Sequence, residues 1–366
     1  MFKILLLILV FIIFFLFYFY IHIFLENTLL KSYNFYIKNK KSQYLYTSIL
    51  IVIPIIFLLI CFFTNENLYT LFYTIYLTYI GILMYSLIFT FILKIIELKF
   101  HFSKFFYKLS IFILPLLISI YGLLNSQINN IENITLEYPY LSSNLKIAHL
   151  TDIHLGVIYK KGAINKITDI LIENNPDIIV ITGDLSDGSL TIQPSWFDSF
   201  EKLYYRNISI LYITGNHEEI YNKNKILNVI KEVPYITYIG SELKLIKNNF
   251  QFIGIDYEDF DVIKKAKELL KNVKKKYFNI LLYHIPKIKP KDLNEIGIDL
   301  MLSGHTHGGQ LFPHQIFVYL LMKCFNGLYK YNDSNYIYVS SGVNTALIPM
   351  RILSKSKIVF ITVKGK

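Results

Sequence analysis

Residues 145–156 read LKIAHLTDIHLG, and their character changes half-way. Leu145–Leu150 is a short, mostly apolar run of strand length, whereas Thr151-Asp152-Ile153-His154-Leu155-Gly156 places a carboxylate and an imidazole in a loop that ends on glycine. Short apolar or β-branched runs bounded by such punctuation read as buried strands. The same arrangement recurs downstream. The run Ile178–Thr182 leads into Gly183-Asp184, Ile208–Thr214 into Gly215-Asn216-His217-Glu218, Asn279–Tyr283 into His284, and Leu300–Ser303 into Gly304-His305-Thr306-His307-Gly308. Further strands are expected at 250–256, 336–340 and 358–363, with helices at 161–174, 196–205, 223–231 and 261–275. Strands alternating with amphipathic helices indicate an α/β domain.

In α/β sheets ligands bind beyond the carboxyl ends of the strands, where the loops converge. Asp152, His154, Asp184, Asn216, His284, His305 and His307 all stand in such loops. In extended backbone, residues i and i+2 face the same way, which would turn Asp152 with His154, and His305 with His307, toward one centre. Seven ligands exceed the needs of one ion and suit two divalent ions sharing a carboxylate. Imidazole, carboxylate and amide donors suit Zn, Mn or Fe. The two cysteines, Cys61 and Cys324, form no C-x-x-C pair and no disulfide framework. Two ions of this kind can clamp a phosphoryl oxygen and acidify a water for in-line attack.

Taken together, Asp152-x-His154, Gly183-Asp184, Gly215-Asn216-His217-Glu218, His284 and Gly304-His305-x-His307 resemble the calcineurin-like metallophosphoesterase superfamily. The resemblance covers residues 145–363 and implies a two-sheet β-sandwich flanked by helices. It assigns Asp152, His154 and His307 to one ion, Asn216, His284 and His305 to the other, and Asp184 to both. His217 then matches the superfamily's catalytic, non-ligand histidine. Gly308-Gly309-Gln310, Ser340-Ser341-Gly342-Val343 and Pro349-x-Arg351, together with the apolar N-terminal region, resemble a bacterial membrane-bound branch. That branch includes enzymes similar to UDP-2,3-diacylglucosamine diphosphatase, which releases UMP and lipid X in lipid A synthesis. On this reading Arg351 is either a substrate-phosphate contact or a partner in a structural salt bridge.

The N-terminal third has a different composition. Four stretches, about 4–24, 46–63, 71–96 and 106–124, approach the roughly 20 apolar residues needed to cross a bilayer. The expected organisation is a transmembrane region over 1–124, a polar linker over 125–144 and the metal-binding domain over 145–366. Of the formal charge of +11, residues 1–125 contribute +6 through nine lysines and three glutamates. Lysines clustered between apolar spans mark the cytoplasmic side of a membrane protein; they do not describe a nucleic-acid surface, so lipid bilayer rather than nucleic acid is the expected partner. Their distribution puts both chain ends, and the C-terminal domain, outside a multi-pass inner membrane. A lipid-linked or nucleotide phosphate is the expected substrate. The alternatives are a broad-specificity envelope phosphoesterase and a non-enzymatic membrane scaffold with a structural metal site.

Residues 311–322, LFPHQIFVYLLM, are strongly apolar for a segment beside a hydrolytic site. They read either as a helix packed on the core or as a lid or groove that accepts acyl chains or dips into a bilayer.

Overall fold

The computed structural model describes residues 65–100, 103–246, 249–259, 261–271, 277–322, 324–330 and 335–365, with isolated positions before residue 65. The chain divides into two compact units, Met1–Tyr121 and Gly122–Lys366. Two helices, Glu66–Ile96 and Phe105–Ser126, are long and apolar enough to cross a membrane. They correspond to the third and fourth expected spans. The first two expected spans lie outside the described residues.

Within Gly122–Lys366 the strands are β1 (Asn129–Glu137), β2 (Leu145–Leu150), β3 (Ile178–Thr182), β4 (Ser209–Ile213), β5 (Ile236–Tyr238), β6 (Glu242–Ile246), β7 (Phe250–Ile255), β8 (Phe278–Tyr283), β9 (Leu300–Ser303), β10 (Gly327–Lys330), β11 (Tyr336–Val339) and β12 (Ser356–Lys364). They form two six-stranded sheets, ordered β1-β12-β2-β3-β4-β5 and β10-β11-β9-β8-β7-β6. Strands β2 to β5 run parallel, as do β7, β8, β9 and β11. Both sheets are mixed, because β12 is antiparallel to β2 and the edge strands β6 and β10 are antiparallel to their neighbours.

The period-2 alternation of side chains explains the layering. Ile147, Val180, Leu211 and Ile213 from the first sheet meet Phe252, Ile280, Leu282 and Leu302 from the second in a buried layer between the sheets. The alternate residues Ala148, Leu150, Ile179 and Ile181 face outward, where Ile164, Ile167 and Leu171 of helix Lys161–Asn174 cover them. On the far face of the second sheet, Ile253, Leu281 and Met301 pack with Val262, Ala266 and Leu293. Each such side chain contributes about 1.5–3 kcal/mol on full burial. Strands buried on both faces and covered by helices are the usual setting of parallel sheets. This is the two-sheet, helix-flanked architecture implied by the resemblance.

The structure corrects two expectations. The supposed linker 125–144 contains β1, which pairs in parallel with β12 from Asn129↔Ser356 to Glu137↔Lys364. Its polar composition suits an edge strand: Leu136 is buried against the sheet interior, Glu132 on the same side pairs with Lys357, and Asn133 and Glu137 are exposed. Helix His314–Leu321 does not pack on the core: none of its residues is buried.

Candidate metal centre

The parallel strands of both sheets end at one rim, and the seven expected ligands follow them there. Asp152 and His154 come after β2, Asp184 after β3, Asn216 after β4, His284 after β8, and His305 and His307 after β9. Potential ligand atoms lie within 4.8 Å of one another in three groups: Asp152, His154 and His307; His154, Asp184 and His217; and Asp184, His284 and His305. Asp184 and His154 each belong to two groups, so the three form one continuous cluster. The amide oxygen of Asn216 joins it, 3.0 Å from His284 Nε2 and 2.7 Å from His305 Nδ1.

The local cause of this convergence differs from the expected one. Asp152, His154, Asp184, His305 and His307 have φ of 53°, 49°, 51°, 71° and 50°, so the ligand loops are not extended. Side chains meet because five non-glycine residues occupy the left-handed region, which costs of order 1–3 kcal/mol each and persists only where the surroundings enforce it. Those surroundings include close backbone approaches. A Cβ on Gly304 would lie 2.3 Å from Asp152 Oδ2, and one on Gly215 would lie 2.2 Å from Asp184 Oδ1.

Hydrogen bonds orient the donors. The imidazole of His284 has Nδ1 2.7 Å from the Thr182 carbonyl. That bond places a proton on Nδ1 and turns Nε2 toward Asp184 and Asn216, so Nε2 is the nitrogen that would hold an ion in place of its own proton, the usual way a second partner fixes a ligand's orientation. His154 Nε2 and His307 Nε2 face each other at 3.0 Å; at most one can carry the shared proton, so at least one presents a lone pair. Asp152 accepts from the His305 backbone N–H at 3.0 Å and from Thr151 Oγ1 at 2.8 Å, and Asp184 accepts from the His217 backbone N–H at 2.9 Å.

The electrostatics suit cations. Burial lowers His154 to about 3, helped by neighbouring His307, and lowers His305 to about 4, helped by His284, so both are neutral donors at pH 7. Burial opposes ionisation of Asp152 and Asp184, but the surrounding histidines outweigh it and hold both carboxyls below the usual range. Burial likewise pulls His284 down, yet Asp184 raises it to about 9. His154 Nδ1 is buried without a hydrogen-bond partner. Carboxylates, an amide oxygen and imidazoles, with no thiolate, form a donor set that fits divalent Zn, Mn or Fe, His284 giving up its extra proton to a bound ion.

His217 is half-buried beside this cluster. Its ring lies edge-on to His154, with centroids 4.7 Å apart, and its Nδ1 is 3.3 Å from the Asp187 carbonyl. Arg351 is not at the open side of the site. It is fully buried and donates to the carbonyls of His307 (3.0 Å), Ser341 (2.7 Å) and Asn344 (2.6 Å) and to Ser354 Oγ (3.0 Å). Neither a substrate contact nor a salt bridge describes it, because both terminal nitrogens of the guanidinium donate to main-chain carbonyls and to Ser354 around the His307 loop.

Sequence reasoning assigned no role to Glu218, although the residue stands in the Gly-Asn-His-Glu stretch. It is buried and accepts from the backbone N–H groups of Asp184 (3.0 Å), Gly215 (2.8 Å) and Ser186 (3.0 Å). The carboxylate thereby ties the loop after β3 to the loop after β4. A Glu two residues after a ligand Asn, at the start of helix Asn216–Tyr221, was the available signal; acidic groups favour helix N-termini.

Comparison with known proteins agrees with this geometry. The family profile described as Calcineurin-like phosphoesterase matches residues 145–309, a span that contains all seven expected ligands. An uncharacterized metallophosphoesterase of Aquifex aeolicus is 31% identical over 262 residues, covering 69% of this chain and 98% of the relative. The chain belongs to the calcineurin-like phosphoesterase family. This phosphoesterase is also 31% identical over 279 residues to an uncharacterized metallophosphoesterase of Campylobacter jejuni, covering 72% of this chain and 71% of that one. A zebrafish (Danio rerio) protein named "Transmembrane protein with metallophosphoesterase domain" is 28% identical over 278 residues, covering 69% of the phosphoesterase and 61% of the relative. The phosphoesterase is thus a metal-dependent hydrolase of phosphoric esters.

Proposed function

We propose that this protein is a membrane-anchored, dinuclear phosphoesterase that hydrolyses a phosphodiester or diphosphate bond in a lipid-linked substrate. The observation that carries the dinuclear reading is that Asp184, a carboxylate with two oxygens, is grouped with His154 on one side and with His284 and His305 on the other, the place a bridging carboxylate would take. In this reading Asp152, His154 and His307 hold one divalent ion and Asn216, His284 and His305 the other. When bound, such ions supply Lewis-acid polarisation of a phosphoryl oxygen and acidify a water. The chain's own residues do the rest. Thr182 fixes the orientation of His284, Glu218 and Arg351 brace the ligand loops, and His217 hydrogen-bonds the phosphoryl group or gives a proton to the leaving oxygen.

Membrane anchoring is supported by the two long apolar helices and by a relative that is itself named a transmembrane protein. The finer proposal is UDP-2,3-diacylglucosamine as substrate, with UMP and lipid X as products, in a bacterial inner membrane. It rests on the motif resemblance alone, and the lysine distribution, which favours an external domain, pulls against a cytoplasmic nucleotide sugar. The test is turnover of UDP-2,3-diacylglucosamine by the purified full-length protein with Mn²⁺, beside an Asp184→Asn control. UMP release by the wild type only supports the specific assignment. Hydrolysis of other phosphodiesters alone redirects it to a broad-specificity envelope enzyme, and no metal-dependent hydrolysis of any ester refutes the reading. A C-terminal reporter active on one side of the membrane decides the topology.

A further inference from the structure

Beside the metal centre lies an apolar surface that catalysis does not use. The only polar side chains of helix His314–Leu321 other than Tyr319 stand at its start and bond inward: His314 Nδ1 lies 3.2 Å from the Gly309 carbonyl, and Gln315 Nε2 donates to the Ile352 carbonyl at 2.9 Å. The rest of the helix is Ile316-Phe317-Val318-Tyr319-Leu320-Leu321, with Leu320 and Leu321 72% and 83% exposed. The neighbouring loop 346–354 adds Leu347 and Leu353, 70% and 72% exposed. Helix and loop are joined through Gln315 and through Gln310, whose Nε2 donates to the carbonyls of Ala346 and Ile348. An exposed apolar helix face of this kind, continued by a loop, marks an interaction surface.

The same loop shows what covers it. Gly122–Ser126 is the last turn of the apolar helix Phe105–Ser126 and part of the C-terminal unit. Asn125 Nδ2 donates to the carbonyls of Arg351 (3.0 Å) and Ser354 (2.9 Å), Ser126 Oγ to that of Pro349 (3.0 Å), and the Arg351 N–H to that of Gly122 (2.9 Å). The loop that carries Leu347 and Leu353 therefore holds the end of a helix whose 22 residues make about 33 Å, the thickness of a bilayer's hydrocarbon core. If that helix spans the membrane, its end and everything clamped to it stand at the membrane surface.

We infer that helix His314–Leu321, with Leu347 and Leu353, is an interfacial element that sinks its apolar side chains among the acyl chains of the bilayer. This inference rests on the membrane-anchored reading. It adds that the metal centre, whose His307 precedes this helix by one short turn, is held at the lipid head groups, so that the substrate phosphate is met at the surface and not extracted into water.

The test uses full-length protein in liposomes of phosphatidylethanolamine and phosphatidylglycerol, in a Trp196→Phe background. One variant carries Leu320→Trp. The other carries Tyr205→Trp, an exposed position just before β4, at the rim opposite the metal centre. Lipids brominated near the head-group end of the acyl chain should quench the tryptophan at 320 by more than half and leave that at 205 unchanged. Phe317→Ser/Leu320→Ser/Leu321→Ser should lower turnover of a liposome-embedded phosphodiester at least tenfold while hydrolysis of bis(p-nitrophenyl) phosphate stays within twofold. Absence of quenching at 320 in protein that hydrolyses the soluble ester overturns the inference alone. Quenching without any hydrolysis would instead sink the enzymatic reading and leave the surface assignment standing. A detergent-resistant dimer that dissolves in the triple-serine variant, with no quenching, would assign the face to a second copy and overturn the inference.

Discussion

Arg351→Met separates a bracing role from a substrate-contact role. The guanidinium is fully buried and makes four donated bonds of 3.0 Å or less around the His307 loop. Burial lowers its pKa only to about 10, so it remains charged at pH 7. Hydrogen bonds from charged donors contribute roughly 1.5–3 kcal/mol each, and the acceptors left behind can recover part of this from entering water. The net loss comes to about 3–5 kcal/mol, in the range seen when one partner of a buried charged network is removed. For a domain of this size each kcal/mol moves the melting temperature by about 2–4 °C, so a fall of roughly 6–20 °C is expected. The assay is thermal unfolding of detergent-purified protein, followed by Trp196 fluorescence, with phosphodiester kinetics on the same samples. Arg351→Lys keeps the charge but not the planar fork, so it should fall between. An unchanged melting temperature with a raised KM would refute the reasoning and return Arg351 to the substrate.

Three further perturbations test the centre itself. His217→Ala should lower kcat by about 10²–10⁴-fold, the usual contribution of a positioned general acid, without changing the metal content measured by mass spectrometry; lost metal would make His217 a ligand. Gly304→Ala drives a Cβ to within 2.3 Å of Asp152 Oδ2 and should cost about 100-fold in turnover, as ångström-scale misplacement of catalytic groups does; near-wild-type kinetics would show that the loop yields. Chelation followed by dialysis should abolish turnover and lower the melting temperature, since each site saturated at 100 times its Kd contributes about 2.7 kcal/mol. Mn²⁺ should restore both, and activity that survives metal removal contradicts the assignment.

The parts of the fold that were legible in the sequence are those with a strong local signal. Strands such as Ile178–Thr182 are short β-branched runs, buried throughout, and a polar ligand at the end of each gave away the rim. Strand β1 was not legible, because NNIENITLE has the Asn- and Glu-rich composition of a linker; its pairing with β12, more than 200 residues away, overrides propensity, as is common for strands. The candidate ligands that converge at the rim were legible as residue types, but not the backbone that presents them. Period-2 spacing suggested extended loops, whereas φ values near +50° at Asp152, His154, Asp184 and His307 arise from contacts across the rim. Glu218, and the bracing role of Arg351, were not legible for a related reason: what each holds is main chain from distant loops, which leaves no trace in local pattern.

The position of β12 between β1 and β2 bears on the order in which the protein is made. Leu145–Leu150 emerges from the ribosome early, yet one of its two neighbours in the sheet is Ser356–Lys364, synthesised some two hundred residues later. Until that strand arrives, β1 has no partner and Gly122–Ser126 has no loop 349–354 to grip. A helix committed to the bilayer would therefore wait, its trailing end untethered, while the whole hydrolase is translated, and nascent chains stalled before residue 356 should remain protease-sensitive.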